Sequence, residues 1–476
     1  MLFNSFHFII FFALVTTVYF IIEHKYRWLL LLVASCYFYM AFVPVYILIL
    51  GFTILVDYYA GIFLEDSEGK RRKYFLIASL IANIGVLAFF KYYNFLNENL
   101  TALLHGAGYK NPVPYLSILL PIGLSFHTFQ AMSYTIEVYR GNQKAERHFG
   151  IYSLYVMFYP QLVAGPIERP QNLLHQFYEK HELDYRNVTE GLKLMLWGFF
   201  KKIVVADRLA IYVNTVYGHD ERYGGLTFLM ATVFFSFQIY CDFSGYSDIA
   251  IGAARVMGFK LMTNFNRPMF AKSTAEFWKR WHISLSTWFK DYLYIPLGGS
   301  RVKVQRLYLN LFIVFVISGL WHGANWTFVI WGAINGFYLI FGAITKKHRD
   351  RFNDWVGISK YRAAHLTVQV LTTFILVALV RVFFRAENIT HATTILKKIF
   401  SFSGTLWFEG ASSAAMSLIA IFILLFAELK KEYYKGSFSF FNNSNQWVRK
   451  FSYAALILMI LLFGVFDGGQ FIYFQF

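Results

Sequence analysis

The sequence predicts an all-α, polytopic membrane protein, with roughly eleven spanning helices and further re-entrant and interfacial pieces. Three observations carry this. Of 476 residues, 57% are hydrophobic, 21% aromatic and only 15% charged, whereas an ordinary soluble domain is about 25% charged. Apolar runs close to the ~20 residues that cross a bilayer recur almost from end to end. The basic residues behind the net charge of +17 sit in short loops between those runs. They form neither a basic arm nor an aromatic-interleaved groove, so nucleic acid is not an expected partner. The pattern is instead that of orienting loop charge, which also attracts anionic lipid or phosphorylated ligands.

The first expected span, 6–22, has no basic segment before it and no small-residue cleavage site after it, and reads as a retained helix. Spans at 28–42, 45–64, 74–96 and 114–138 follow. The loops 24–27, 69–73 and 140–148 are basic and the region 98–113 is nearly neutral, which places the N-terminus outside and the basic loops in the cytoplasm. Beyond Gly150 the pattern becomes irregular. Tyr159-Pro160 and Gly165-Pro166 interrupt one apolar stretch, and Gly245 to Asp248 close another. Irregular backbone at membrane depth is tolerated only inside protein or beside a water-filled cavity, so the middle third is where a cavity is expected. Plain spans return at 307–320, 326–344, 366–384, 414–427 and 454–474, with basic loops at 346–351 and 430–435. No solenoid-type repeat and no soluble appendage of domain size is visible. Cys36 and Cys241 lie in apolar segments and suggest neither a disulfide framework nor a metal motif.

Three segments carry chemistry. Residues 275–292 read as one helix, with Phe277, Trp281, Trp288 and Tyr292 on one side and Trp278, His282, Leu285 and Phe289 on a neighbouring stripe. Arg280, His282, Lys290 and Asp291 together in so apolar a chain point to a site, because ionisable groups are expensive there. An amphipathic interfacial helix whose histidine satisfies one hydrogen bond is the alternative. The second segment, Ser318-Gly319-Leu320-Trp321-His322-Gly323-Ala324-Asn325-Trp326, joins two apolar helices. A neutral imidazole there can accept a proton near physiological pH, and flanking glycines would admit a substrate close to the backbone. That suits a general base for a hydroxyl; a structural histidine or a proton pathway fits equally. The third is Tyr240 to Asp248 with Asn264-Phe265-Asn266-Arg267-Pro268. Its carboxylates could line a polar tunnel or pair with Arg255 or Arg267. Phosphate-binding loops, the dinucleotide glycine fingerprint, the His-Glu-x-x-His zinc motif and the Gly-x-Ser-x-Gly elbow are all missing. The histidines and aspartates lack metal-ligand spacing, so no metal is expected.

Taken with Val163-Ala164-Gly165-Pro166-Ile167-Glu168-Arg169-Pro170, Tyr294-Ile295-Pro296-Leu297-Gly298-Gly299, the stretch Leu320 to Trp331 and the C-terminal Gln470 to Phe476, these segments resemble the membrane-bound O-acyltransferase family. Within it, they are most similar to the membrane subunits of bacterial alginate O-acetyltransferase and related polysaccharide and peptidoglycan O-acetyltransferases. The resemblance covers nearly the whole chain. It implies one integral membrane domain over 1–476: peripheral helices to about 140, a catalytic core at about 150–345 and closing helices from about 360. It implies a ring of helices with a funnel from each side. By resemblance His322 is the catalytic histidine and His282 the second site residue, with Asp242, Tyr246, Asn266, Arg280, Trp321 and Asn325 as tunnel candidates.

The implied reaction moves an acyl group, acetyl in the simplest case, from a cytoplasmic thioester to an extracytoplasmic polymer hydroxyl. The donor is acetyl-CoA or another acyl-CoA or acyl carrier thioester, and no permanently bound cofactor is implied. Thioester to ester is downhill, so no ATP site is needed. The chain has no Gly-Asp-Ser nucleophile segment, and relatives of this type work with a separate extracytoplasmic partner of the SGNH hydrolase class, in the bacterial inner membrane. Two other classes are weighed against this: a transporter or flippase of a polymer precursor, which predicts inverted repeats that the sequence does not show, and a non-catalytic scaffold, which leaves the ionisable cluster without purpose.

Overall fold

The computed structural model describes residues 1–117, 120–163, 165–434, 441–466 and 471–472. Of the segments singled out above, residues 118–119, Ala164, Lys435 and most of 470–476 lie outside the described residues. All regular structure among the described residues is helical. Among the described residues, eight helices are long and apolar enough to cross a membrane: Pro44–Glu65, Gly69–Gly106, Gly225–Val256, Val304–His322, Trp326–Ile344, Arg362–Arg385, Ala411–Tyr433 and Gln446–Phe463. The apolar helix Phe6–Ile21 is shorter. With the short or polar helices His24–Met40 and Leu124–Arg140, this makes up most of the expected set, and the protein is a multi-pass membrane protein.

Two boundaries differ from expectation for local reasons. The expected span 114–138 begins as a helix only at Leu124. Pro112, Pro114 and Pro121 remove backbone donors, and Gly123 takes a left-handed φ of 78° that an L side chain resists. The expected span 454–474 starts earlier, at Gln446, where the Asn445 side chain accepts from the Trp447 amide, and it stops at Phe463 before an extended Gly464.

The described residues gather into two compact units, Met1–Met195 with Tyr246–Met262, and Leu196–Gly245 with Thr263–Phe476. In the first unit, three helices are tied by a buried carboxylate. Asp57 accepts from the Ser79 hydroxyl at 2.6 Å and twice from the Asn83 amide at 2.9 Å, and Ser79 also reaches Thr135. The interrupted stretch after Gly150 forms the short helices Phe149–Met157, Tyr159–Leu162 and Pro170–Leu173. Their loose backbone is satisfied by side chains: Gln130 and Gln161 both donate to the Tyr155 carbonyl, and the Met262 amide donates to Glu168.

In the second unit, Val304–His322 and Trp326–Ile344 form a hairpin whose turn is three residues long. The two helices touch backbone to backbone. A Cβ on Gly319 would strike the Phe328 carbonyl oxygen, and one on Gly332 would strike the Phe315 carbonyl oxygen and come within 3.1 Å of Gly319 Cα. Apolar helices in an apolar solvent gain little from hydrophobic burial against each other, so small residues that allow close packing hold the pair together. Gly332→Ala is expected to destabilise the protein in detergent by about 1–3 kcal/mol. Gly342→Ala, on the same helix in open space apart from Arg349 at 4.0 Å, should leave the thermal midpoint unchanged or raise it. Equal midpoints for the two variants would remove the packing argument.

Candidate active site

The hairpin turn fixes the position of His322. The residue ends its helix, Gly323 is extended, and Asn325 restarts the chain by capping the next helix through its side chain to the Thr327 amide at 2.9 Å. Gly323 has no room for a side chain because the Phe328 ring lies against it. The flanking glycines serve the packing of Phe328 and of the two helices.

His322 is 4% exposed and caged by aromatic rings: Trp321 at 5.0 Å, Trp331 at 5.1 Å and Phe384 at 5.4 Å, all near edge-on. It lines a narrow cavity with Trp278, Trp281, Trp331, Asn335, Arg381 and Phe384. Trp281 and Phe277 stack at 5.4 Å and 20° to form one wall.

His282 is positioned by a different device. The helix expected over 275–292 is broken: Thr274–Arg280 stops, His282 takes a left-handed φ of 43°, Ile283–Phe289 follows, and Lys290–Tyr294 widens into a π turn. The cause is competition for hydrogen bonds from the strand-like segment at 264–266. The Asn266 amide donates to the Arg280 carbonyl at 2.8 Å and the Ile283 amide to the Asn264 carbonyl at 2.9 Å. The Asn264 side-chain oxygen then collects three groups: His282 Nδ1 at 3.1 Å, the Ser284 hydroxyl at 2.9 Å and the Ser284 amide at 3.3 Å. An Nδ1 proton donated there leaves the ring's lone pair on Nε2. Burial of this residue, outside the spanning helices, pushes its pKa down to about 3 and keeps it neutral. The Phe243 ring packs edge-on at 4.6 Å, and Trp321 lies 6.3 Å from His282 as well as 5.0 Å from His322. A single indole thus stands next to both histidines.

The remaining candidates are placed differently. Asp242 pairs with Lys202 at 2.6 Å, the same ammonium holds Asp207 at 2.6 Å, and the Ile472 amide donates to Asp242 at 2.7 Å. The partner of Asp242 is therefore a lysine of the 200–206 segment, and neither Arg255 nor Arg267. Arg280 bonds Glu276 at 2.6 Å and Glu432 at 2.8 Å, and Arg267 shares Glu432 at 2.7 Å. Asn266 is exposed and contributes its backbone to Arg280. Tyr246 belongs to the first unit, where its hydroxyl donates to Asn4 at 2.9 Å. Asn325, besides its cap, donates to the Glu387 carbonyl. None of these five lines the cavity beside His322.

Two buried cations escaped the sequence reading, one on the cavity wall and one that holds Asp242 away from it. Arg381 was passed over within a span taken as plain, although a lone arginine inside such a helix is itself a signal. Lys202 lay in the apolar run 194–206, where two adjacent lysines carried the same signal. Among the described residues no group of three histidine, cysteine or acidic side chains is placed to hold a metal.

Helices and site together describe a multi-pass membrane protein with polar side chains enclosed by apolar and aromatic ones. The family model for membrane-bound O-acyltransferases matches residues 143–356. The chain is 36% identical to a "probable alginate O-acetylase" of Pseudomonas aeruginosa, over 90% of this chain and 80% of the other. It is 37% identical to a peptidoglycan O-acetyltransferase of Helicobacter pylori, over 79% and 74%. A teichoic acid D-alanyltransferase of Bacillus subtilis is 27% identical over 50% of this chain and 62% of its own. The chain belongs to the membrane-bound O-acyltransferase family, and it is an O-acyltransferase.

The Asn264 junction is open to test. Asn264→Ala removes the acceptor shared by three donors and should lower stability in detergent by about 1–3 kcal/mol. Ser284→Ala, which removes only one hydroxyl, should lower it less. An Asn264→Ala protein that melts with the wild type would contradict the junction's role.

Proposed function

We propose that the protein transfers an acyl group, acetyl in the simplest case, from a cytoplasmic thioester such as acetyl-CoA to a hydroxyl on the far side of a bacterial inner membrane, for O-acetylation of a cell-surface polysaccharide. The single observation that carries the site assignment is His322, buried at the end of a helix and lining a narrow cavity inside an aromatic cage. The relatives in Pseudomonas and Helicobacter, named for alginate and peptidoglycan O-acetylation, support acetyl as the group and a surface polymer as its destination.

In this reading an imidazole nitrogen of His322 takes the proton of the incoming hydroxyl as its oxygen adds to the thioester carbonyl. The tetrahedral adduct then collapses, the carbon–sulfur bond breaks, and the imidazolium returns the proton to the departing thiolate. The aromatic cage contributes by excluding water, which would otherwise compete for the acyl group, and by holding donor and acceptor in line. His282, neutral and oriented through Asn264, would present Nε2 to the acceptor. Trp321, adjacent to both rings, would keep the two histidines in register. An extracytoplasmic partner of the SGNH class would complete delivery to the polymer, and the basic loops would draw the phosphates of the donor.

His322→Ala is expected to lower acetyl transfer from labelled acetyl-CoA by at least about a thousandfold, as loss of a base that acts with its neighbours does, while the protein still melts like the wild type in detergent. His282→Ala should retain more activity than His322→Ala. Transfer by His322→Ala at near the wild-type rate would remove the base assignment.

A further inference from the structure

Helix Arg362–Arg385 carries a guanidinium into an otherwise apolar span. Arg381 is 4% exposed and lines the same narrow cavity as His322. Its position is fixed from three directions. The guanidinium carbon lies 4.6 Å from the centroid of the Trp281 ring and 5.5 Å from that of Phe277, and Nη1 donates to the Ser236 carbonyl at 3.2 Å. Phe384, one turn further along the same face of the helix, brings its ring to 5.4 Å from His322. A permanently charged side chain costs several kcal/mol in such a span unless its surroundings compensate for it. The two stacked aromatic rings compensate in part through cation–π attraction, and they also hold the planar group in one orientation.

Acyl transfer is helped by a fixed hydrogen-bond donor or positive charge where the carbonyl oxygen becomes an anion. When the acceptor oxygen adds to the thioester carbonyl, the carbonyl π electrons move onto its oxygen and create an anion in a site with little water to solvate it. A cation already oriented there needs no reorganisation at the moment of reaction and is worth far more than in water. We propose that Arg381 is a catalytic residue that stabilises the oxyanion of the tetrahedral adduct formed between a hydroxyl acceptor and the donor thioester. The hydroxyl proton goes to His322, the carbonyl electron pair rests on the oxygen facing Arg381, and collapse re-forms the carbonyl as the thiolate leaves and takes the proton back. Asn335 on the same cavity wall donates its side-chain amide to the backbone carbonyl of Trp331 at 2.8 Å, within its own helix.

This rests on the reading of His322 as the base. The test therefore compares both residues in the full chain, in membranes of its own host where the native acceptor and any partner are present. Release of CoA thiol from added acetyl-CoA is measured per molecule of protein. Arg381→Met should lower the maximal rate 10²–10³-fold with the apparent KM for acetyl-CoA within about threefold, the signature of an interaction made only in the transition state. Arg381→Lys should keep more of the rate than Arg381→Met, and added guanidinium ion should restore part of it to Arg381→Ala. A maximal rate for Arg381→Met within threefold of wild type, or a change confined to KM, overturns the proposal. Failure of both the Met and the Lys variants to accumulate as folded protein also overturns it, since the arginine would then serve the fold. A dead His322→Ala beside an active Arg381→Met sinks this inference alone. A His322→Ala chain at near the wild-type rate sinks the base assignment and this inference with it.

Discussion

The close crossing of Val304–His322 and Trp326–Ile344 is the contact on which the site depends. Gly319 and Gly332 allow two backbones to meet, and only at that separation can a three-residue turn join the helices with His322 at its start. Phe328, pressed against Gly323, closes the turn from the other side. The imidazole sits in a cage of Trp321, Trp331 and Phe384, rings carried by three helices of the second unit. In water such a hairpin could be held by its hydrophobic face. Among apolar helices in lipid, shape has to do what hydrophobicity does elsewhere.

A second device recurs in both units, in which one polar side chain gathers several partners. Asn264 collects His282 and Ser284. Lys202 collects Asp207 and Asp242, and Asp242 in turn holds the amide of Ile472 near the end of the chain. Glu432 collects Arg267 and Arg280. In the first unit Asp57 collects Ser79 and Asn83. Each cluster satisfies groups that would be prohibitive to bury alone, and each joins segments far apart in sequence. Two residues offered as tunnel lining, Asp242 and Arg280, are members of such clusters.

How far the site could be read in advance varied with the kind of signal. His322 and His282 stood out by their settings, the first in a glycine-flanked turn between two apolar helices and the second among charged residues on an aromatic-rich segment. Arg381 carried as clear a signal in composition, yet its span looked complete without it, and nothing local showed which helix face met His322. The break at His282 was hidden because the aromatic spacing of 275–292 suits a helix. It is overruled by hydrogen bonds to 264–266, which are close in space and distant enough in sequence that periodicity does not register them. Asn325 caps a helix through its side chain and Asn266 pairs with Arg280 through its backbone, placements that composition does not show.

By itself the sequence determined the solvent this protein lives in, the order of its spanning helices and the presence of an ionisable core. Those properties follow from local hydropathy and from charge counted along the chain. Only the tertiary structure decided which charges are clamped in pairs and which line the cavity. What a buried charge meets depends on the side chains and carbonyls that other helices pack against it. That is why Asp242 ends against a lysine and Arg381 ends beside His322.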